Sequence, residues 1–213
     1  MKNEHQKITD IFEKNSKSFV SRKEKMNTVS FSKINWSDSY LDFIPYSSAI
    51  DQLEQPKVYN EEKTASIQNH FLDDKLVYSF RNENENWGTI FIDYENDNTI
   101  KWFLFSENYD DEMVLQQLKI AYYNNDRVEK VLSYLMDEDE DEETFMLDCY
   151  NYSEEGKLEN IIRNGFYEME SNILPERKLS FEYNEERTVK IHSEQKTAGG
   201  IKKNLIYSGK TLD

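Results

Sequence analysis

At 213 residues the chain can form one large or two small domains and bury a real core without disulfide or metal staples. Its formal net charge of -16 argues against partners that are themselves polyanionic, nucleic acid and anionic membrane surfaces above all. A single cysteine, Cys149, excludes an internal disulfide and fits a reducing compartment. No apolar run reaches membrane-spanning length and the polar N-terminus lacks the apolar core of a secretory signal, so the expectation is a cytoplasmic protein. Lysine outnumbers arginine and asparagine is plentiful, which hints at a bacterial source.

The first 25 residues run against the overall charge. Seven lysines and arginines face four carboxylates there, a net of +3 that leaves -19 for the remainder. From His5 to about Met26, the apolar residues Ile8, Ile11, Phe12, Phe19 and Val20 recur at three- and four-residue spacings, which predicts one amphipathic helix. Such a helix could touch a membrane or partner, or lay its stripe on the body of the protein with its lysines in water. Residues 29–75 are the least regular part. Val29, Phe31 and Ile34 alternate like a short strand, whereas Ser39–Leu53 and Glu61–Phe71 read as helical, with Pro45 breaking the first. Residues 1–75 are therefore expected to form an N-terminal helical or mixed cap.

From Leu76 onward the pattern is β. Leu76–Phe80, Thr89–Tyr94, Ile100–Phe105, Leu118–Tyr123, Val128–Met136, Phe145–Tyr150, Leu158–Ile162, Leu179–Tyr183, Val189–His192 and Leu205–Tyr207 are rich in β-branched and aromatic residues. Leu118, Ile120 and Tyr122 alternate with polar neighbours, as do Leu179, Phe181 and Tyr183, the pattern of antiparallel strands with one buried face. Asp111–Leu118 reads either as a short helix or as the approach to a strand. The fold class expected is α+β, mostly β: an antiparallel β-meander over 76–213, capped by 1–75. Short turns would fall on one border of the sheet. The longer connectors Ser106–Met113, Asp137–Thr144, Arg163–Arg177 and Ser193–Lys203 would fall on the other.

Four tyrosines punctuate this region. Tyr94, Tyr123, Tyr152 and Tyr183 lie 29, 29 and 31 residues apart, each closing an apolar segment before a polar turn, and a near-constant period marks repeated supersecondary units. The copy Tyr150-Asn151-Tyr152-Ser153-Glu154-Glu155-Gly156-Lys157-Leu158-Glu159-Asn160-Ile161 resembles the tyrosine-aspartate repeat of bacterial Rhs-type wall and toxin proteins. That motif has an aromatic-x-Tyr, an acidic turn with glycine, a basic residue, a leucine and an isoleucine in this order. The other three copies keep the tyrosine and lack the turn glycine. The resemblance implies a meander of about four hairpins, and four are too few for the enclosing shell of that family.

The strongest local feature is the run Asp137, Glu138, Asp139, Glu140, Asp141, Glu142 and Glu143. It can be a solvated loop, a docking strip for a cationic partner, or a poor calcium loop lacking the spaced oxygens and glycine turn of an EF-hand. The meander would set Glu107, Asp110, Asp111 and Glu112 beside it, making one acidic rim. Trp87 next to a polar loop and Trp102 in a strand are candidate partner anchors, since tryptophan is enriched at interface centres. Stacked aromatics could instead bind sugar, although glycan-binding repeats are usually glycine-rich and this chain has six glycines.

Enzymatic motifs are absent. His5, His70 and His192 lack the spacing of a zinc motif, and neither a P-loop, a dinucleotide fingerprint nor a nucleophile elbow is present. No cofactor is expected. The profile is similar to that of the immunity proteins of bacterial polymorphic-toxin systems, which are small, cytosolic, acidic and without catalytic motifs. That similarity implies a protein that neutralises a basic toxin domain by binding it; a structural or carbohydrate-binding β-repeat module is the alternative.

Overall fold

The computed structural model describes residues 1–63, 66–96, 98–137, 142–167, 172–184 and 187–211. Two helices open the chain, α1 (Lys2–Asn15) and α2 (Phe19–Asn27), followed by β1 (Lys33–Ser37), the single turn α3 (Ser47–Ile50) and β2 (Val58–Tyr59). The remaining strands are β3 (Ile67–Leu72), β4 (Lys75–Arg81), β5 (Thr89–Asn96), β6 (Thr99–Glu107), β7 (Met113–Asn124), β8 (Arg127–Asp137), β9 (Glu142–Tyr152), β10 (Leu158–Tyr167), β11 (Asn172–Tyr183), β12 (Thr188–Thr197) and β13 (Gly200–Lys210). All thirteen strands form one open antiparallel sheet in the order β13 to β3 without a crossover, then β1 and β2. The predicted meander is thus present, and it extends past its expected start. The sheet runs unbroken through residue 75, and residues 1–75 supply three of its strands as well as its helices. Among the described residues, no helix is long and apolar enough to cross a membrane.

Turn chemistry fixes the register. Asp73-Asp74 and Asn125-Asp126 have positive φ at both positions, the two-residue geometry that matches strand twist. Gly156 adopts φ +85°, a left-handed conformation that favours glycine at this turn. These turns occupy one border of the sheet. On the opposite border lie the connectors 82–88, 108–112 and 198–199. Strands β10 to β13 extend well into the polar stretches that the sequence suggested as long connectors.

Each face of the sheet has its own cover. On one face α1 sets Ile8 and Phe12 into a core with Phe91, Phe103, Phe105, Leu115, Leu118, Leu132 and Phe145. Charges of both signs on this segment are paired here. Lys130 reaches Glu4 at 2.6 Å, Arg22 bonds Asp93 at 2.9 Å, Lys23 pairs with Glu85, and the Arg22 guanidinium lies 3.8 Å from the Phe103 ring centroid. The opposite face is crossed by residues 38–57, which form a strap. Ile44, Tyr46, Ala49 and Ile50 pack there on Ala121, Val131, Tyr150, Ile161, Leu179, Phe181 and Ile191.

Four local expectations are corrected. The predicted helix from His5 to Met26 is broken at 16–18, where the Ser16 and Ser18 hydroxyls donate back to the Glu13 and Asn15 carbonyls and so compete with helical hydrogen bonds. As a result Val20 is exposed. Ser39–Leu53 is helical only over α3, since Pro45 and the left-handed Tyr46 (φ 63°) interrupt it. Glu61–Phe71 is not a helix: its second half is β3. A buried polar residue hid the two-residue period there, because Asn69 Nδ2 donates to Ser37 Oγ at 2.8 Å and to Asn35 Oδ1 at 3.2 Å while its Oδ1 accepts from Ser79. Finally, β7 begins at Met113, which removes the helical reading of Asp111–Leu118.

Candidate functional site

The long-connector border brings together part of the predicted docking surface. A 3-10 turn over Glu85–Trp87 is held by the Asn84 carboxamide, which accepts from Asn86 N, and it leaves Trp87 60 % exposed. In the next connector, Asn108 Oδ1 accepts from the amides of Asp110 at 3.0 Å and Glu112 at 2.9 Å, while Asp111 takes φ 58°. This closed loop holds Asp110, Asp111 and Glu112 outward, with Tyr109 84 % exposed beside them. Asn86 Nδ2 donates to Glu107 Oε1 at 3.1 Å and ties the two connectors together. Glu142 is exposed two connectors along.

Other residues of the predicted surface are placed differently. Glu138, Asp139, Glu140 and Asp141 lie outside the described residues, as does the side chain of Asp137. Glu143 is 8 % exposed and bonded by His5 of α1; it fastens the helix to β9 and is withdrawn from the rim. Trp102 is 7 % exposed, with its ring 6.1 Å from and nearly parallel to that of Phe43. Burial removes it from any outer contact. Lys196, Lys202 and Lys203, expected on a connector, stand in β12 and β13, where Lys203 bonds Glu182 at 3.0 Å.

The periodic tyrosines form a physical row on the strap face, close to the short-turn border. Tyr94 donates to the Leu76 carbonyl at 3.0 Å, Tyr183 to the Leu158 carbonyl at 3.0 Å, and Tyr123 to the Phe43 carbonyl of the strap at 3.3 Å. Burial pushes the Tyr94 phenol up to about 12 and raises Tyr123, Tyr152 and Tyr183 as well. Tyr94 and Tyr183 thus tie neighbouring strands together, and Tyr123 ties down the strap. Burial also raises the Cys149 thiol, which makes it a poor nucleophile.

A cavity of about 510 Å³ opens between the strap and the sheet. Tyr40, Leu41 and Phe43 of the strap face Trp102 and Leu104 of β6, while Gln117 and Lys119 of β7 form its floor. Asp42, Asp51 and Glu54 stand on the strap side. Asp42 is engaged by Ser48, whose amide and hydroxyl donate to it at 3.0 and 2.6 Å. Next to the cavity, Arg163 grips Asp148 through two 2.8 Å bonds and reaches Asp51 at 3.1 Å. Burial opposes the Arg163 charge, but these carboxylates outweigh it and hold its pKa above the ordinary value. Lys119 is the opposite case. Burial holds its pKa below that of a free lysine, and its ammonium lies 5.4 Å from the Trp102 ring centroid.

This cluster escaped the sequence reading. Lys119 appears there only as the polar member of the Leu118-Lys119-Ile120 alternation, and its neighbours come from residues 42–54 and 163, too distant in the chain for any spacing rule. Among the described residues, no group of His, Cys, Asp and Glu is arranged to hold a metal ion. Comparison with protein-family models, with curated proteins and with solved structures finds no match in any of the three.

Proposed function

We propose that this chain is an acidic binding protein that docks a basic protein domain through its long-connector border, acting as an immunity protein towards a bacterial toxin domain. One observation carries the reading: two tied connectors hold exposed aromatic rings, Trp87 and Tyr109, among the outward carboxylates of Asp110, Asp111 and Glu112. Aromatic anchors supply desolvated contact area, and surrounding carboxylates of one sign steer a cationic surface onto them. The net charge of -16 extends that field. A toxin that grips phosphate with lysines and arginines presents the complementary surface, and covering that surface would silence it. Binding in the cytoplasm by a protein without catalytic groups of its own completes the proposal.

The test is kinetic. Basic domains encoded beside this chain's gene are passed over the immobilised protein at low and high ionic strength. Replacing Asp110, Asp111 and Glu112 with their amides should slow association about tenfold at low salt and flatten its salt dependence. Trp87→Ala should act on dissociation instead, at a cost of about 2 kcal/mol. Association rates that ignore both the triple variant and the salt would end the proposal. Salt-insensitive glycan binding lost in Trp87→Ala would replace it with the carbohydrate-binding alternative.

A further inference from the structure

We propose that the cavity beneath the strap is a binding site for a small zwitterion, an α-amino acid with an apolar side chain. Lys119 presents an ammonium at the cavity floor, and among the described residues none lies within ion-pairing distance of it. The carboxylates around it are committed elsewhere: Asp42 to Ser48, and Asp148 and one oxygen of Asp51 to Arg163. An ammonium in that position calls for an acceptor from outside.

A simple anion does not suit the site, because Asp38, Asp42, Asp51 and Glu54 line the same space and would repel it. A simple cation would find carboxylates on the strap side but would leave the Lys119 ammonium without an acceptor. A ligand carrying both charges a few ångströms apart satisfies both walls. Its carboxylate would accept from Lys119, and its ammonium would donate to the second oxygen of Asp51 and to Glu54, which is exposed at the mouth. The apolar remainder has a matching surface in Trp102, Phe43, Tyr40 and Leu104. At about 510 Å³ the space falls within the range of small-molecule sites. Its opening lies on the strap face rather than on the long-connector border, so occupancy of one does not require the other.

Three related probes separate the charges: L-phenylalanine, 3-phenylpropanoate, which lacks the ammonium, and 2-phenylethylamine, which lacks the carboxylate. Calorimetric titration of the intact protein should give phenylalanine a Kd on the order of 0.1 mM, as fits a ligand of about twelve non-hydrogen atoms. Each single-charge analogue should bind at least about tenfold more weakly, since a charge-assisted hydrogen bond is lost. Lys119→Met should abolish the advantage of phenylalanine over phenylethylamine. Glu54→Gln, at an exposed position, should weaken phenylalanine several-fold and should not weaken phenylpropanoate, which loses a repelling charge. Equal affinity of the three probes, no heat from any of them, or an unaltered phenylalanine affinity in Glu54→Gln would each overturn the proposal.

Discussion

Strands β5 to β8 and strands β11 to β13 belong to one sheet, but different surroundings shaped their sequences. In β5 the four residues from Thr89 to Ile92 are all buried, because α1 and α2 lie over one face and the strap over the other. In β11, Leu179 and Phe181 are buried while Ser180 and Glu182 are not, because only the strap face is covered. The contrast shows that the hydrophobic pattern records the layers above a strand as much as the strand itself: continuous apolar runs where both faces are covered, period two where one face meets water. The same rule places the N-terminal helices over the middle of the sheet and leaves its C-terminal end half-solvated.

The largest effect should come from the doubly covered region. Phe105 is fully buried among Phe19, Phe91 and the strands beneath α2, and Phe105→Ala should cost about 3–5 kcal/mol in a urea unfolding series. Phe181 on the singly covered side has Tyr46 of the strap against it and an end of the sheet nearby that can settle inward. Phe181→Ala should therefore cost about 2–3 kcal/mol. Equal losses would mean that the two regions are packed alike, contrary to the layering described.

Next in size is the ion cluster that joins strap to sheet. Arg163→Met keeps the side-chain volume while leaving Asp148 and Asp51 without their cation, so it should cost about 3 kcal/mol. Restoring the cluster's original net charge with Asp148→Asn in the same chain should recover part of that loss. A double variant no better than the single one would show that the three groups do not act together.

His70 gives a pH-dependent counterpart on the helix-covered side. Its ring packs against Phe31 at 4.4 Å and Tyr78 at 5.2 Å with neither nitrogen hydrogen-bonded; burial, helped by the Lys23 charge, lowers its pKa to about 4. The unfolded chain, with an ordinary histidine near 6.5, binds the proton more readily than the folded one. Stability from this residue is therefore complete above about pH 6.5 and is lost as the pH falls towards 4, by at most about 3 kcal/mol. His70→Leu should remove that slope, measured as the urea midpoint across the same interval. A slope that survives the substitution would assign it to carboxylates.

These residues also show what could be read in advance. Every strand predicted after Leu76 exists, because β-branched and aromatic residues with turn signals between them describe local backbone preference, which the sheet keeps. The repeat tyrosines were legible as a period, and their hydrogen bonds explain it: each closes a hairpin or ties down the strap. Three-dimensional neighbours were not legible. Trp102 and Glu143 looked like surface residues because nothing nearby in sequence announces Phe43 above one or His5 above the other. Asn69 disguised a strand because its burial depends on Asn35, Ser37 and Ser79. The cavity around Lys119 is legible only after the strap has been laid across β6 and β7.

The smallest effect is expected on the solvated face of β11 to β13, and it tests the comparison most directly. Glu182 accepts from Lys203 at 3.0 Å and lies 3.2 Å from His192. The Lys203 hydrogen bond holds the Glu182 carboxyl below its usual range, so any stability it lends would be present at neutral pH and lost on acidification. Water screens the pair, however, and two long exposed side chains lose freedom to make it. Glu182→Gln should then leave the urea midpoint unchanged at any salt concentration. If instead it destabilised the protein as much as Arg163→Met, that face could not be in water, and a layer matching α1 and α2 would have to cover the C-terminal strands as well.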